Sequence, residues 1–258
     1  MGLHAVVEGA GTRVVLVHGF TQTLVSWAPV AADLAADHEV VRVDAPGHGG
    51  SADLHVDLAA GAELLGAAGG RATYVGYSMG GRLALRLAID RPDLVERLVL
   101  LGATAGIDDP DERTARRAAD HALAARIEAD GVDAFLDRWL AQPLFADLSP
   151  TPEDLAARRT NSTAGLASSL RLAGTGTMDP PWWDDLARID APTLVLAGEH
   201  DAKFSAVGHR LVAAIGTGAG AGRRPLARFA PVAGAGHASH LQRPGVVASL
   251  IRAHLDAS

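Results

Sequence analysis

A serine set between glycines, Val75-Gly76-Tyr77-Ser78-Met79-Gly80-Gly81, stands where an apolar, β-branched run gives way to a helical one. A serine hydroxyl is a weak nucleophile or base unaided. It needs a histidine to take its proton and a carboxylate to hold that histidine's tautomer. Of the 11 histidines in the chain, His237 is the one on a glycine-lined loop directly after the last strand-like run and before the terminal helical one. His240 follows closely but reads as a helix-entry residue, His254 lies deep in the last helix, and His18 reads as a structural residue bonded within its own loop. Two acids follow the preceding strand. Glu199 is nearer the strand end and could serve; Asp201 is preferred because the loop carries it toward the crevice. The chain order Ser78, Asp201, His237 is the order in which enzymes with this strand, turn and helix arrangement carry their triad.

The elements around Ser78 must aim it. Residues 72–75 have the bias of a short buried strand, and 82–91 place Leu83, Ala84 and Leu87 on one helical face. A turn squeezed between the two is strained, so small residues at Gly76 and Gly80 let the backbones pass. The Met79 N–H then falls at a helix N-terminus, where it can stabilise an oxyanion. The loop after the strand at 13–17 supplies the second donor, the backbone of Phe20. A glycine-rich turn that merely contains a serine is the bland alternative, and the strand-then-helix context speaks against it.

The rest of the chain predicts an α/β fold. Its 258 residues, 48% hydrophobic and only 4% aromatic, suit one substantial core built of Ala, Val and Leu. A net charge of −7 leaves no basic field for nucleic acid, and the absence of cysteine removes thiolate and Cys-ligated metal chemistry. No basic leader with an apolar run and no membrane-spanning stretch is visible, so a cytoplasmic enzyme without membrane insertion is expected. Strands are expected at 3–8, 13–17, 39–43, 72–75, 94–101, 193–197 and 226–232. Helices are expected at 26–36, capped by Ser26 with Pro29 in its first turn, and at 57–68, 82–91, 203–215 and 244–254. Residues 216–222 read as a surface loop. Between 108 and 174 strand character stops, and helices at 111–129 and 131–140 predict an inserted helical cap over the carboxyl ends of the strands. The core is then 1–107 with 175–258. The loop from Asp44 to Ser51 is rich in glycine but lacks a phosphate-binding lysine. No cluster has metal-ligand spacing, and no cofactor is implied.

Phe20, Asp44-Ala-Pro-Gly-His-Gly-Gly-Ser51, Gly76 to Arg82, Gln142-Pro-Leu-Phe145, Arg159-Thr-Asn161, Gly198-Glu-His-Asp-Ala-Lys-Phe204 and Gly236-His237 form a set of segments spread along the chain. Together they resemble the MenH family, the 2-succinyl-6-hydroxy-2,4-cyclohexadiene-1-carboxylate synthases of menaquinone biosynthesis, within the α/β-hydrolase superfamily. The resemblance covers nearly the whole chain, with Thr104-Ala105-Gly106 where Ser-Pro-Gly is common and Gln242 where a glutamate is frequent. It implies an α/β-hydrolase fold whose mostly parallel sheet is flanked by helices and carries the cap, the triad Ser78, Asp201 and His237, and substrate binding by Tyr77, Arg82, Arg116, Trp139, Phe145 and Arg159. The implied reaction is elimination of pyruvate from a cyclohexene tricarboxylate. Three arginines from three segments suit such a small anionic substrate in an acidic chain. The alternatives are a carboxylic-ester or C–C bond hydrolase, or a cofactor-free haloperoxidase, with the same triad, and a non-catalytic small-ligand binder of the same fold.

Overall fold

The computed structural model describes residues 2–216 and 226–257. Seven strands form one sheet: β1 (Ala5–Glu8), β2 (Thr12–Val17), β3 (His38–Val43), β4 (Ala72–Tyr77), β5 (Val95–Leu101), β6 (Thr193–Gly198) and β7 (Ala227–Val232), in the order β1-β3-β2-β4-β5-β6-β7. Only the edge strand β1 is antiparallel to its neighbour; the pairs from β3 to β7 are parallel. Helices α1 (Ala28–Leu34), α2 (Leu58–Gly69) and α3 (Met79–Asp90) precede β5. Four more, α4 (Pro110–Asp130), α5 (Val132–Leu140), α6 (Pro152–Arg159) and α7 (Thr163–Ala173), are inserted between β5 and β6. The chain then forms α8 (Ala202–Ala214), α9 (Ser239–Gln242) and α10 (Pro244–Leu255).

The two faces of the sheet follow the period of two that a strand imposes. Val15, Val17, Val41, Val43 and Tyr74 join Leu58, Leu65, Leu83 and Leu87 in one buried cluster. Val14, Leu16, Val40, Val75 and Tyr77 join Trp27, Leu34, Val247 and Ile251 in the other. Helices therefore cover both faces, as parallel strands buried on both sides require. A third, smaller core of Ala124, Ile127, Phe135, Leu166, Ala167 and Leu170 holds the inserted helices together. They meet the sheet's loops at close range: a Cβ on Gly47 would stand 2.5 Å from the Gly165 carbonyl oxygen, and one on Gly165 would stand 2.4 Å from that of Gly47.

Most expected elements appear with their ends moved by a residue or two. The start of α3 differs more, at Met79 rather than residue 82, and α1 differs in its cap. Ser26 caps no helix: Thr23 caps a short 3₁₀ turn at Leu24–Trp27, and α1 begins at Ala28 with Pro29 in its first turn. The Ser26 hydroxyl donates back to the Thr23 carbonyl oxygen at 2.9 Å, the local bond by which serine competes with capping. The surface loop expected at 216–222 lies, beyond Gly216, outside the described residues.

Candidate active site

Ser78 occupies the turn from β4 into α3 with φ 50° and ψ −105°, a conformation that L-residues rarely adopt. Close packing over-determines it. A Cβ on Gly76 would lie 2.4 Å from the Gly80 carbonyl oxygen, and one on Gly80 would lie 2.4 Å from that of Val17. The Ser78 N–H donates to the Leu101 carbonyl oxygen at 2.8 Å, tying the turn to β5. Met79 opens the helix, where the first N–H groups have no intrahelical acceptor.

Of the two acids, Asp201 is the one that lies beside the histidine. His237 Nδ1 lies 2.7 Å from Asp201 Oδ2, both side chains buried. The other carboxylate oxygen, Oδ1, accepts the Phe204 N–H at 3.1 Å as the cap of α8. Glu199 instead accepts the Gly234 N–H at 2.8 Å and bonds the loop rather than the histidine. Tyr77 and Phe204 flank the imidazole at ring-centroid distances of 5.3 and 4.5 Å. The amide oxygen of Gln242 accepts the Gly236 N–H at 2.7 Å, a bond for which a neutral acceptor suffices. Thr104 likewise closes its own turn on the Gly106 N–H at 3.2 Å.

Ser78, Met79, Phe20 and His237 line one cavity of about 160 Å³ with Tyr77, Arg82, Arg116, Trp139 and Phe145. A second cavity of about 490 Å³ shares Thr104, Arg116, Thr175, Lys203 and Phe204 with it. Of the residues expected to bind substrate, Arg159 is the exception. It is half exposed, paired with Asp133 at 3.2 Å, and absent from the cavity wall. Its neighbour Arg158 lines the cavity, with Nε 2.6 Å from Asp154 and Nη1 donating to Thr21 Oγ1 at 2.6 Å. One residue is about 100° of helix rotation, so only one of the two can face inward. The Asp154/Arg158 spacing of four, with Asn161 three further on, was the available signal for the correct register. Lys203, Phe204, Gln22 and Ser169 also line the cavity without having been singled out for binding.

Arg82 is 9% exposed, and its one side-chain hydrogen bond among the described residues is from Nη2 to the Ala173 carbonyl oxygen at 2.9 Å. Burial, then the nearby Arg116, lowers its pKa to about 10. Its Nε and the Trp139 Nε1 are buried without a partner among the described residues. Arg116 is partly neutralised by Asp120, its Nε reaching both carboxylate oxygens at 2.9 and 3.0 Å. The aromatic wall is continuous: Trp139 lies 5.2 Å from Phe20 and 5.7 Å from Phe145, ring centre to ring centre.

The loops behind the cavity rest on two neutral histidines. His18 Nε2 accepts the Ala45 N–H at 3.0 Å, so its Nδ1 carries the proton given to the Gly19 carbonyl oxygen at 2.8 Å. His48 Nε2 accepts the Thr21 N–H at 3.3 Å, and Nδ1 donates to the Pro46 carbonyl oxygen at 2.9 Å. Burial lowers both pKa values, that of His48 to about 3, and burial also pushes His240 well below its ordinary 6.5. Below about pH 6.5 the unfolded chain binds protons that the native state refuses, so these groups make stability fall as pH falls. Urea unfolding at a series of pH values from 7.5 to 4.5 is expected to show a steady decline in midpoint. A flat profile would contradict the neutral assignments.

Residues 14–250 match the alpha/beta hydrolase family. The 2-succinyl-6-hydroxy-2,4-cyclohexadiene-1-carboxylate synthase of Yersinia pestis bv. Antiqua (strain Nepal516) is 31% identical over 97% of this chain and 90% of its own. The solved structure of MenH from S. aureus superposes with a TM-score of 0.86 at 27% identity, covering 98% of this chain and 97% of that one. An enol-lactonase from Burkholderia xenovorans LB400 superposes with a TM-score of 0.78 at 27% identity, covering 99% and 96%. The chain belongs to the alpha/beta hydrolase family and, within it, to the family of 2-succinyl-6-hydroxy-2,4-cyclohexadiene-1-carboxylate synthases. Among the described residues no helix is long and apolar enough to cross a membrane, and no acidic, histidine or cysteine cluster could hold a metal.

Proposed function

We propose that this enzyme is a carbon–oxygen lyase that eliminates pyruvate from 2-succinyl-5-enolpyruvyl-6-hydroxy-3-cyclohexene-1-carboxylate. The product is 2-succinyl-6-hydroxy-2,4-cyclohexadiene-1-carboxylate, as in menaquinone biosynthesis. The observation that carries the reading is Arg82: a buried guanidinium with no carboxylate partner among the described residues, in the first turn of α3, on the same cavity wall as Ser78 and His237. A cation beside a helix N-terminus is unfavourable unless an anion joins it. Arg116, Arg158 and Lys203 on the same wall add charge for a substrate with three carboxylates. A neutral ester has no use for them.

In this reading His237, its tautomer held by Asp201, draws the proton from Ser78. The seryl oxygen then removes the proton α to the succinyl carbonyl. The enolate oxygen is stabilised by the Phe20 and Met79 N–H groups. Its electrons re-form the ketone, shift the ring double bond and expel the C5 oxygen as enolpyruvate, which becomes pyruvate on taking up a proton at carbon. No acyl-enzyme forms. The inserted helices, residues 108–174, act as the cap that shuts water from the enolate.

Losing the partner of a buried carboxylate costs roughly 2 to 5 kcal/mol, so Arg82→Ala should lower kcat/KM for pyruvate release by about 30-fold to several thousand-fold. Hydrolysis of p-nitrophenyl acetate, measured beside it, should change little. Arg159→Ala, outside the cavity, should leave pyruvate release within about twofold, the usual reach of an exposed ion pair. Equal small effects of Arg82→Ala on both reactions would shift the assignment to a serine hydrolase.

A further inference from the structure

Gly19, Phe20, Thr21 and Gln22 form a turn closed by the Gln22 N–H on the Gly19 carbonyl oxygen at 3.2 Å. Its third residue, Thr21, has φ 69°, and Ser78 is the only other non-glycine with positive φ among the described residues. A turn with positive φ at that place calls for glycine or asparagine; a β-branched threonine there is an outlier that its surroundings must hold. The Thr21 N–H is held by His48 Nε2 at 3.3 Å, and the hydroxyl and carbonyl are held by the inserted helices, the hydroxyl by Arg158. Asn161, 5% exposed at the junction of α6 and α7, donates from Nδ2 to the Thr21 carbonyl oxygen at 2.8 Å and to the Arg158 carbonyl oxygen at 3.0 Å. Its Oδ1 accepts the Gly49 N–H at 2.9 Å, which fixes the orientation of the amide and ties in the loop after β3.

We propose that Asn161 is a positioning residue for the oxyanion hole. By gripping the Thr21 carbonyl it keeps the turn in its left-handed form, and the turn in that form aims the Phe20 N–H at the reacting carbonyl oxygen. The inserted helices thus assemble part of the chemical machinery as well as covering it. The proposal rests on the lyase reading for its substrate and on Phe20 as the donor.

The test is a cycle of four proteins: wild type, Asn161→Ala, Thr21→Gly and the double variant. Glycine enters positive φ at no steric cost, so a chain with glycine at 21 no longer needs the grip. In the threonine background Asn161→Ala should lower kcat for pyruvate release by about 10- to 100-fold, short of the 10²–10³ lost with a whole oxyanion donor, while KM moves little. In the glycine background the same substitution should cost no more than about a third of that factor on a logarithmic scale. Thr21→Gly also removes the Arg158 contact, and comparison within each background cancels that loss. Equal losses in the two backgrounds, or a loss confined to KM, would overturn the proposal. Should Asn161→Ala fail to fold, Asn161→Asp keeps the acceptor for Gly49 and removes the donor to Thr21, and it should show the same split.

The rate at which a fluorophosphonate labels Ser78 gives a readout independent of the lyase reading, because its phosphoryl oxygen occupies the same hole and it carries no tricarboxylate. If wild type is labelled but releases no pyruvate, the lyase reading fails, and the cycle run on labelling rates still decides the role of Asn161. If wild type is not labelled, the hole is not assembled and the proposal fails with it.

Discussion

Ser78→Ala and His237→Ala are each expected to cut pyruvate release by on the order of 10⁴- to 10⁶-fold, with the double variant no slower than the worse single one. The two side chains share one proton. Without His237 the Ser78 hydroxyl stays protonated, and without Ser78 the imidazole has no group through which to reach the substrate carbon. Ser78 is set by the φ 50° turn and His237 by Asp201 and the Tyr77 and Phe204 rings, so neither alanine removes a core anchor. Circular dichroism and thermal unfolding near wild type should accompany the loss. Multiplied losses in the double variant would mean independent roles and would discard the shared-proton account.

Asp201→Asn is expected to lower turnover by on the order of 10⁴-fold, as in hydrolytic triads, while leaving substrate affinity within a few-fold. An asparagine oxygen can still accept the Phe204 N–H, so the α8 cap survives. The remaining amide group then presents N–H to His237 Nδ1 and stabilises the tautomer with its proton on the wrong nitrogen. The imidazolium formed during proton transfer also loses its counter-charge. Glu199→Gln, by contrast, leaves an acceptor for the Gly234 N–H and should act as a mild loop variant. Single-turnover rates and equilibrium binding of a dicarboxylate such as succinylbenzoate separate the two effects. A large loss in Glu199→Gln with a small one in Asp201→Asn would reverse the assignment.

The sheet and the loops that carry Ser78, Asp201 and His237 were legible for a common reason. Strands buried on both faces announce themselves as apolar runs, and loops just beyond their carboxyl ends have little freedom over where to put a side chain. Ser78, Asp201 and His237 all sit on such loops. The inserted helices are another matter. Rich in Ala, Asp and Arg, α6 carries little apolar pattern, so its rotation shows in the sequence only through the Asp154/Arg158 spacing and is fixed by a tertiary contact, Arg158 to Thr21, that a local pattern does not contain. Arg158 and Arg159 are alike as residue types and about 100° apart around the helix, one on the cavity wall and the other paired with Asp133. The grip of Asn161 on Thr21 spans 140 positions, and only the positive φ of a threonine, invisible in the sequence, marks the place that needs it.

The backbone contact between Gly47 and Gly165 has a consequence for how such chains can be recombined. Neither residue tolerates a methyl group while the other stays where it is, since each Cβ would fall about 2.5 Å from the opposite carbonyl oxygen. The insertion is thus keyed to its own sheet at a contact where no side-chain trimming can relieve a mismatch. A chimera that grafts the helical segment of one relative onto the strands of another has to inherit both members of that contact as a pair. Crossovers placed near residues 108 and 174 would exchange Gly165 and leave Gly47 behind, so shuffled libraries should yield active hybrids mainly from parents that already share glycine at both positions.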